Sequence, residues 1–244
     1  MKLRRALYAS HRWIGLAVSV QLLLWSLGGF IFSVLKIDDV HGDRERKHPP
    51  ALTIVAQEVR VTVPEAMEKA RGQALGEVVR IELRPRLDRL AYLLFDADGT
   101  ALGTVDAANG DVHTLLTVEE ARAAAIADFA PDAPIRSIDL FTKDPPLELR
   151  GKPLPAYRIV FEHPKEPHIF VSAVTGDVVA RRNRPWRLFD FFYMLHVMDY
   201  REREDFNHLL LTVMSALAVL TAATGLALHA SRFLRRRPRA GTPV

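Results

Sequence analysis

The chain has 244 residues, a formal charge of +4 at pH 7, nine histidines and no cysteine. Without thiols, disulfides, thiolate metal sites and c-type haem attachment are excluded. The positive excess lies largely in the two ends of the chain, which argues against a nucleic-acid-binding surface in the middle.

Taken in chain order, the first feature is Trp13–Leu35, a run without a formal charge; a second such run is Leu209–Leu228. A hydrocarbon core of ~30 Å is crossed by about 20 helical residues, so each run is long enough to span a membrane. The first exceeds a signal-peptide core of roughly 7–15 residues and no small-x-small site precedes "KIDDVHGD", so it reads as a retained anchor. Lys2, Arg4, Arg5 and Arg12 precede the first span, and Arg232, Arg235, Arg236, Arg237 and Arg239 follow the second. Basic flanks stay in the cytoplasm, which places both termini there and the middle domain outside.

Between the spans the sequence repeats itself. "TVPEAMEKA" (Thr62–Ala70), "AYLLFDADG" and "GTVDAANGDVHTL" are followed by "TVEEARAAAIADF", "AYRIVFEHP" and "FVSAVTGDVVARR". Each copy predicts an amphipathic helix and then about three antiparallel strands, with the "NGD" and "TGD" glycines supplying positive φ at tight turns. Ala91-Tyr92 matches Ala156-Tyr157, and Gly110-Asp111-Val112 matches Gly176-Asp177-Val178, an offset of 65 to 66 residues that marks an internal duplication. Turn chemistry accounts for Asp106, Asp111 and Asp177. His163 and His168, flanking "PKEP", read as surface loop residues, and His41, His48 and His113 as solvated loop or strand-edge residues. No phosphate loop, nucleophile elbow, or flavin or nicotinamide fingerprint is present.

The helix followed by "VDAANGDV" or "VSAVTGDV", with "HRWIGLAVSVQLLLWSLGG" at the start and "TGLALHASRFLRRR" at the end, resembles the PepSY domain and the PepSY-associated transmembrane proteins. The resemblance implies an α+β membrane protein of the bacterial inner membrane, with two transmembrane helices flanking an extracytoplasmic tandem PepSY domain. The expected organisation is 1–36 N-terminus and first span, 37–59 linker, 60–117 and 118–184 the two PepSY-like repeats, 185–204 an interfacial amphipathic helix, 205–231 second span and 232–244 basic tail. Larger members of the family are haem proteins linked to iron uptake, some reducing ferric siderophores, and they have more spans than two.

Four histidines sit at the edges of the apolar segments. By the topology above, His11 and His229 share the cytoplasmic side, and His196 and His208 the outer side. His208 and His229 are 21 residues apart, about 31 Å of helical rise, so they cannot share an iron. His196, in "PWRLFDFFYMLHVMDY", can meet His208 only if the chain breaks between them, since a continuous helix would part them by about 18 Å. In the light of the resemblance, each pair is a candidate axial set for haem b, with Arg12 and Arg232, and also Arg4, as candidate partners of the propionates. Gly15, Ala17, Gly28, Gly29, Ala216, Ala218, Ala222, Ala223 and Gly225 would let helices approach or leave room for the ring. Trp25 and Gln21 read as packing against the second span, and Thr221 and Thr224 as bonding back to their own helix.

Two functions follow. In one, the chain passes electrons across the membrane to an extracytoplasmic acceptor such as a ferric chelate. Its donor would then be a separate cytoplasmic flavoprotein, and a homodimer or partner membrane subunit would complete the helix bundle around the haem. In the other, the spans only anchor a non-enzymatic binding or regulatory module for an envelope peptide, protease or partner protein, with sheet edges and the Tyr92 and Tyr157 strands forming its binding face and the histidines incidental.

Overall fold

The structure, a computed structural model, describes residues 2–47, 58–73, 75–87 and 89–235, with the backbone alone at 2–11, 227–228 and 231–235. It divides into a helical unit, Met1–Leu35 with Leu188–Val244, and a central unit, Lys36–Arg187.

The helical unit holds α1 (Lys2–Val34) and α6 (Leu209–Arg235). Both carry a stretch long and apolar enough to cross a membrane, Arg12–Val34 and Leu209–Leu226. The buried positions of α1, including Val18 and Gln21, form one stripe at three- and four-residue spacing, and Ala218 is buried on α6. Most other apolar side chains of these helices are exposed, among them Leu23 and Val219 at 68% each, as lipid-facing side chains must be.

The central unit contains the duplication. α3 (Val63–Gly72) precedes a meander of β1 (Arg80–Arg86), β2 (Arg89–Phe95), β3 (Ala101–Asp106) and β4 (Val112–His113). α4 (Val118–Asp128) precedes β5 (Ile135–Phe141), β6 (Ala156–Phe161), β7 (His168–Ser172) and β8 (Val178–Arg182). Each sheet thus has four antiparallel strands where the sequence predicts about three.

The two copies agree at the level of single bonds. Thr62 with Glu65 and Thr117 with Glu120 form matching capping boxes at the starts of α3 and α4. Tyr92 donates its hydroxyl to Val61 O at 2.7 Å, and Tyr157 to Leu116 O at 2.9 Å, in each case the carbonyl just before the helix cap. These tyrosines are 4% and 5% exposed: their rings fill the two cores and their hydroxyls satisfy buried carbonyls. The turn after β3 is held by Asp106 Oδ1, which accepts from Ala108 N and Asn109 N; in the second copy the Ser172 hydroxyl does the same for Val174 N and Thr175 N. The acidic turn residues are thus turn residues, as expected. Among the described residues no cluster of three metal-ligating side chains occurs.

Two expectations change. Residues 37–47 of the expected linker carry structure: α2 (Ile37–His41) and a 3-10 turn at Asp43–Glu45 are clamped to the second repeat. Lys165 pairs with both Asp39 and Glu45, Asn183 donates to Asp39 O at 2.7 Å, and Arg46 bridges to Phe129. His168 is not a loop residue. It lies on β7, half-buried, 2.6 Å from Glu148, whose other oxygen takes Arg187 Nε at 2.6 Å. Burial alone would raise the Glu148 carboxyl, but the His168 and Arg187 donors outweigh it and hold it below its usual range.

Tyr92→Phe and Tyr157→Phe should each destabilise the full-length protein by about 1–2 kcal/mol, because each strands a buried carbonyl. Chemical denaturation in detergent, followed by circular dichroism, reads this, and equal costs at the two sites are the expected result.

Candidate functional site

Where the central domain ends, α5 (Arg184–Val197) carries five aromatic residues in fourteen and leads into the helical unit. It runs beside the C-terminal half of α1 in the opposite direction. The Phe189 ring lies 4.6 Å from that of Phe32, and the Phe192 carbonyl lies over Gly28. Four residues on, the Trp25 indole donates to His196 O at 2.8 Å, and the Gln21 amide donates to Leu195 O at 3.3 Å. Since Gln21 and Trp25 stand midway along Arg12–Val34, α5 lies along the first span and ends near its middle. The sequence predicts an interfacial helix over 185–204; the helix observed is Arg184–Val197, antiparallel to α1.

The end of α5 explains this placement. The last carbonyls of a helix have no partner within it, and lipid offers none. Here Leu195, His196 and Val197 receive side-chain donors from Gln21, Trp25 and His208 respectively, and the chain turns away at Met198 with φ of +56°. Gln21 and Trp25 therefore do more than pack. They cap a neighbouring helix, a role with no local sequence signal.

His208 serves two helices. Its Nε2 donates to Val197 O at 2.8 Å, and its Nδ1 accepts from Leu211 N at 3.3 Å, capping the start of α6. These contacts fix one neutral tautomer and commit both ring nitrogens. The chain does break between the two outer histidines, and His208 bonds to the residue beside His196. As a pair for one iron, however, they lack a free nitrogen on His208. The loop between them is built on Asp199, whose carboxylate accepts from the backbone N–H groups of Arg201, Glu202, Glu204 and Asp205. Desolvation pushes this carboxyl up, but the four donors prevail and hold it at about 2. A second tie is the ion pair of Arg203 with the buried Asp190 of α5.

The helices form the walls of an open cleft of about 670 Å³. Trp25 and Phe32 of α1, Phe189, Tyr193 and His196 of α5, and Leu211 and Ser215 of α6 line it, with Phe206 at its edge. The His196 ring is 6.1 Å from both the Trp25 and Phe32 rings and makes no hydrogen bond among the described residues.

His11 and His229 stand at the other ends of α1 and α6, which pack together. Trp25 and Ser215 share the cleft, and each is 14 residues from its histidine (25 − 11 and 229 − 215). Each interval rises about 21 Å and turns about 1,400°, 40° short of four turns, so positions 11 and 229 fall at a common level to within about one turn. Gly15 and Gly225, one turn from each histidine on the same helix face, have open space where a Cβ would stand. His229 is exposed, as is Arg12, whose guanidinium lies 5.4 Å from the Trp13 ring. The side chains of His11, Arg4 and Arg232 lie outside the described residues, as does all of His48. Thr224 returns its hydroxyl to Leu220 O, as expected.

The model of one protein family, the PepSY-associated TM region, matches residues 8–243. No curated protein and no solved structure matches the chain.

Removing one α5 cap by Gln21→Ala, Trp25→Phe or His208→Ala should lower stability by about 1–3 kcal/mol, the cost of leaving a helix-end carbonyl without its donor. Thermal unfolding in detergent checks this, with exposed Ser33→Ala as the neutral control. The Asp199 loop should be fully ordered above pH 4 and loosen as pH falls from 3.8 through about 2, because its carboxyl binds a proton more readily once the loop opens. Hydrogen exchange at Arg201, Glu202, Glu204 and Asp205, corrected for intrinsic rates, should show that transition, and Asp199→Asn should abolish it.

Proposed function

Since the chain belongs to the PepSY-associated TM region family, a membrane protein with two spans flanking a central soluble domain, we propose that it is a haem-b electron-transfer subunit of the bacterial inner membrane. Both termini are cytoplasmic, the tandem domain is extracytoplasmic, and electrons pass outward to an acceptor such as a ferric chelate in iron uptake. What supports this reading is the helix arithmetic that sets positions 11 and 229 within about one turn of a common level, with Gly15 and the exposed Gly225 leaving open space one turn from each. Imidazole at that level and room for a flat ring against both helices are what a haem site between spans needs.

In this reading His11 and His229 would hold the haem iron through ring nitrogens, and Arg12 and Arg232 would pair with the propionates. Haem b would supply one-electron chemistry that no side chain here can perform. The protein's own part is to orient two imidazoles, neutralise two carboxylates and keep water from the ring. Two spans enclose a ring on few sides, so a homodimer or a partner membrane subunit completes the bundle. The donor is a separate cytoplasmic flavoprotein.

A second reading, a membrane-anchored binding or regulatory module, is favoured by the capping of α5. It gives Gln21, Trp25 and His208 full employment without any cofactor. The two readings part on a reduced-minus-oxidised spectrum of the purified full-length protein. A b-type band that disappears in both His11→Ala and His229→Ala is expected. A colourless protein from haem-replete cells leaves the anchored module, and a band unchanged in both variants removes these ligands.

A further inference from the structure

The aromatic cleft is left without a role by the His11 and His229 assignment. We propose that it binds the headgroup of a membrane-dissolved quinone. Its walls stand within the helical unit, and Trp25, Leu211 and Ser215 belong to the two spanning stretches, so a molecule dissolved in the bilayer can reach it. Its ring surfaces are ordered: Phe32 on Phe189 at 4.6 Å, Phe189 stacked along Tyr193 at 6.2 Å, and Tyr193 edge-on to Phe206 at 5.9 Å. Flat aromatic ligands gain most from such walls. At about 670 Å³ the cleft is within the roughly 300–1,000 Å³ of small-molecule sites, with room for a ring and the start of a tail.

Two polar groups on this wall distinguish a quinone from an acyl chain. The hydroxyls of Thr212 and Thr224 on α6 bond back to their own helix, at His208 O and Leu220 O. Ser215, between them, makes no such bond, and neither does the His196 imidazole opposite. A donor left unpaired against lipid is costly, and both face the same space. A quinone ring carries two carbonyl oxygens that accept hydrogen bonds, and its tail is soluble in the bilayer. An acyl chain would leave both donors unused. Haem fits the cleft poorly, since His208 has no free nitrogen for a second axial bond and Arg203 is paired with Asp190. The site is separate from the His11 and His229 pair and requires no haem there.

The test is titration of the full-length protein in nanodiscs with a short-tailed ubiquinone and with menadione, reading tryptophan fluorescence. Saturable quenching at one site per chain is expected, weakened about tenfold by His196→Ala and about threefold by Ser215→Ala. His196→Gln, which keeps an N–H donor, should recover binding to within about threefold of the parent, and Ser215→Leu should block it by filling the cleft. Quenching that rises linearly without saturation, or affinity unchanged in His196→Ala of parental thermal stability, overturns the proposal. So does loss of a b-type band in His196→Ala, which would put haem in the cleft. Loss of the band in His11→Ala with quinone binding intact would leave both readings standing, and absence of any band would touch only the haem reading.

Discussion

The helical unit depends on a single problem of chemistry: three backbone carbonyls at the end of α5 must be satisfied beside a membrane span. An amide, an indole and an imidazole, drawn from α1 and from the threshold of α6, each meet one of them. Because the three donors come from two other helices, the caps fix the depth, direction and rotation of α5 at once. The cleft exists because α5 is held this way, with Phe189, Tyr193 and His196 facing α1 and α6. Apolar contact between helices in lipid has little preference for one depth over another, whereas a hydrogen bond to a particular carbonyl does.

The same constraint separates the histidines by role. His208 gives up both nitrogens to backbone and becomes a joint between two helices. His196 lends its carbonyl to Trp25 and keeps its ring uncommitted in the cleft. His229 stands exposed on α6 with an open glycine one turn away. Three imidazoles near apolar runs thus have three different chemistries, set by their neighbours and not by their distance from a span.

In the central domain, duplication and stability are one fact. The tyrosine hydroxyl, the helix cap and the turn after the third strand recur in both copies, although Asp106 is replaced by Ser172. The two side chains are interchangeable there because the turn asks only for an acceptor oxygen two bonds or three from the backbone. The charged strap of residues 37–47 has no counterpart in this scheme; ion pairs with Lys165, the Asn183 bond to Asp39 O and the buried Val40 hold it.

Much of this architecture follows from local pattern. Uncharged runs of spanning length, a 65-residue repeat, capping boxes and glycine turns are short-range features whose physics acts within a few residues, so the two spans, the duplicated domain and the break before His208 were legible. A fourth strand per sheet, the clamped strap, the pairing of His168 with Glu148 and the run of α5 beside α1 were not. The extra strands, β1 and β5, pair with their sequence neighbours but lie outside the repeated motifs; the others join residues far apart in the chain, up to the 174 positions between Gln21 and Leu195. A buried donor does not announce its acceptor in sequence, and an amphipathic helix has the same composition whether it lies on a membrane or beside a span. The sequence by itself determined which segments could be helices, strands and spans; only the tertiary structure decided which imidazoles remain free, because that depends on where unpaired carbonyls come to rest.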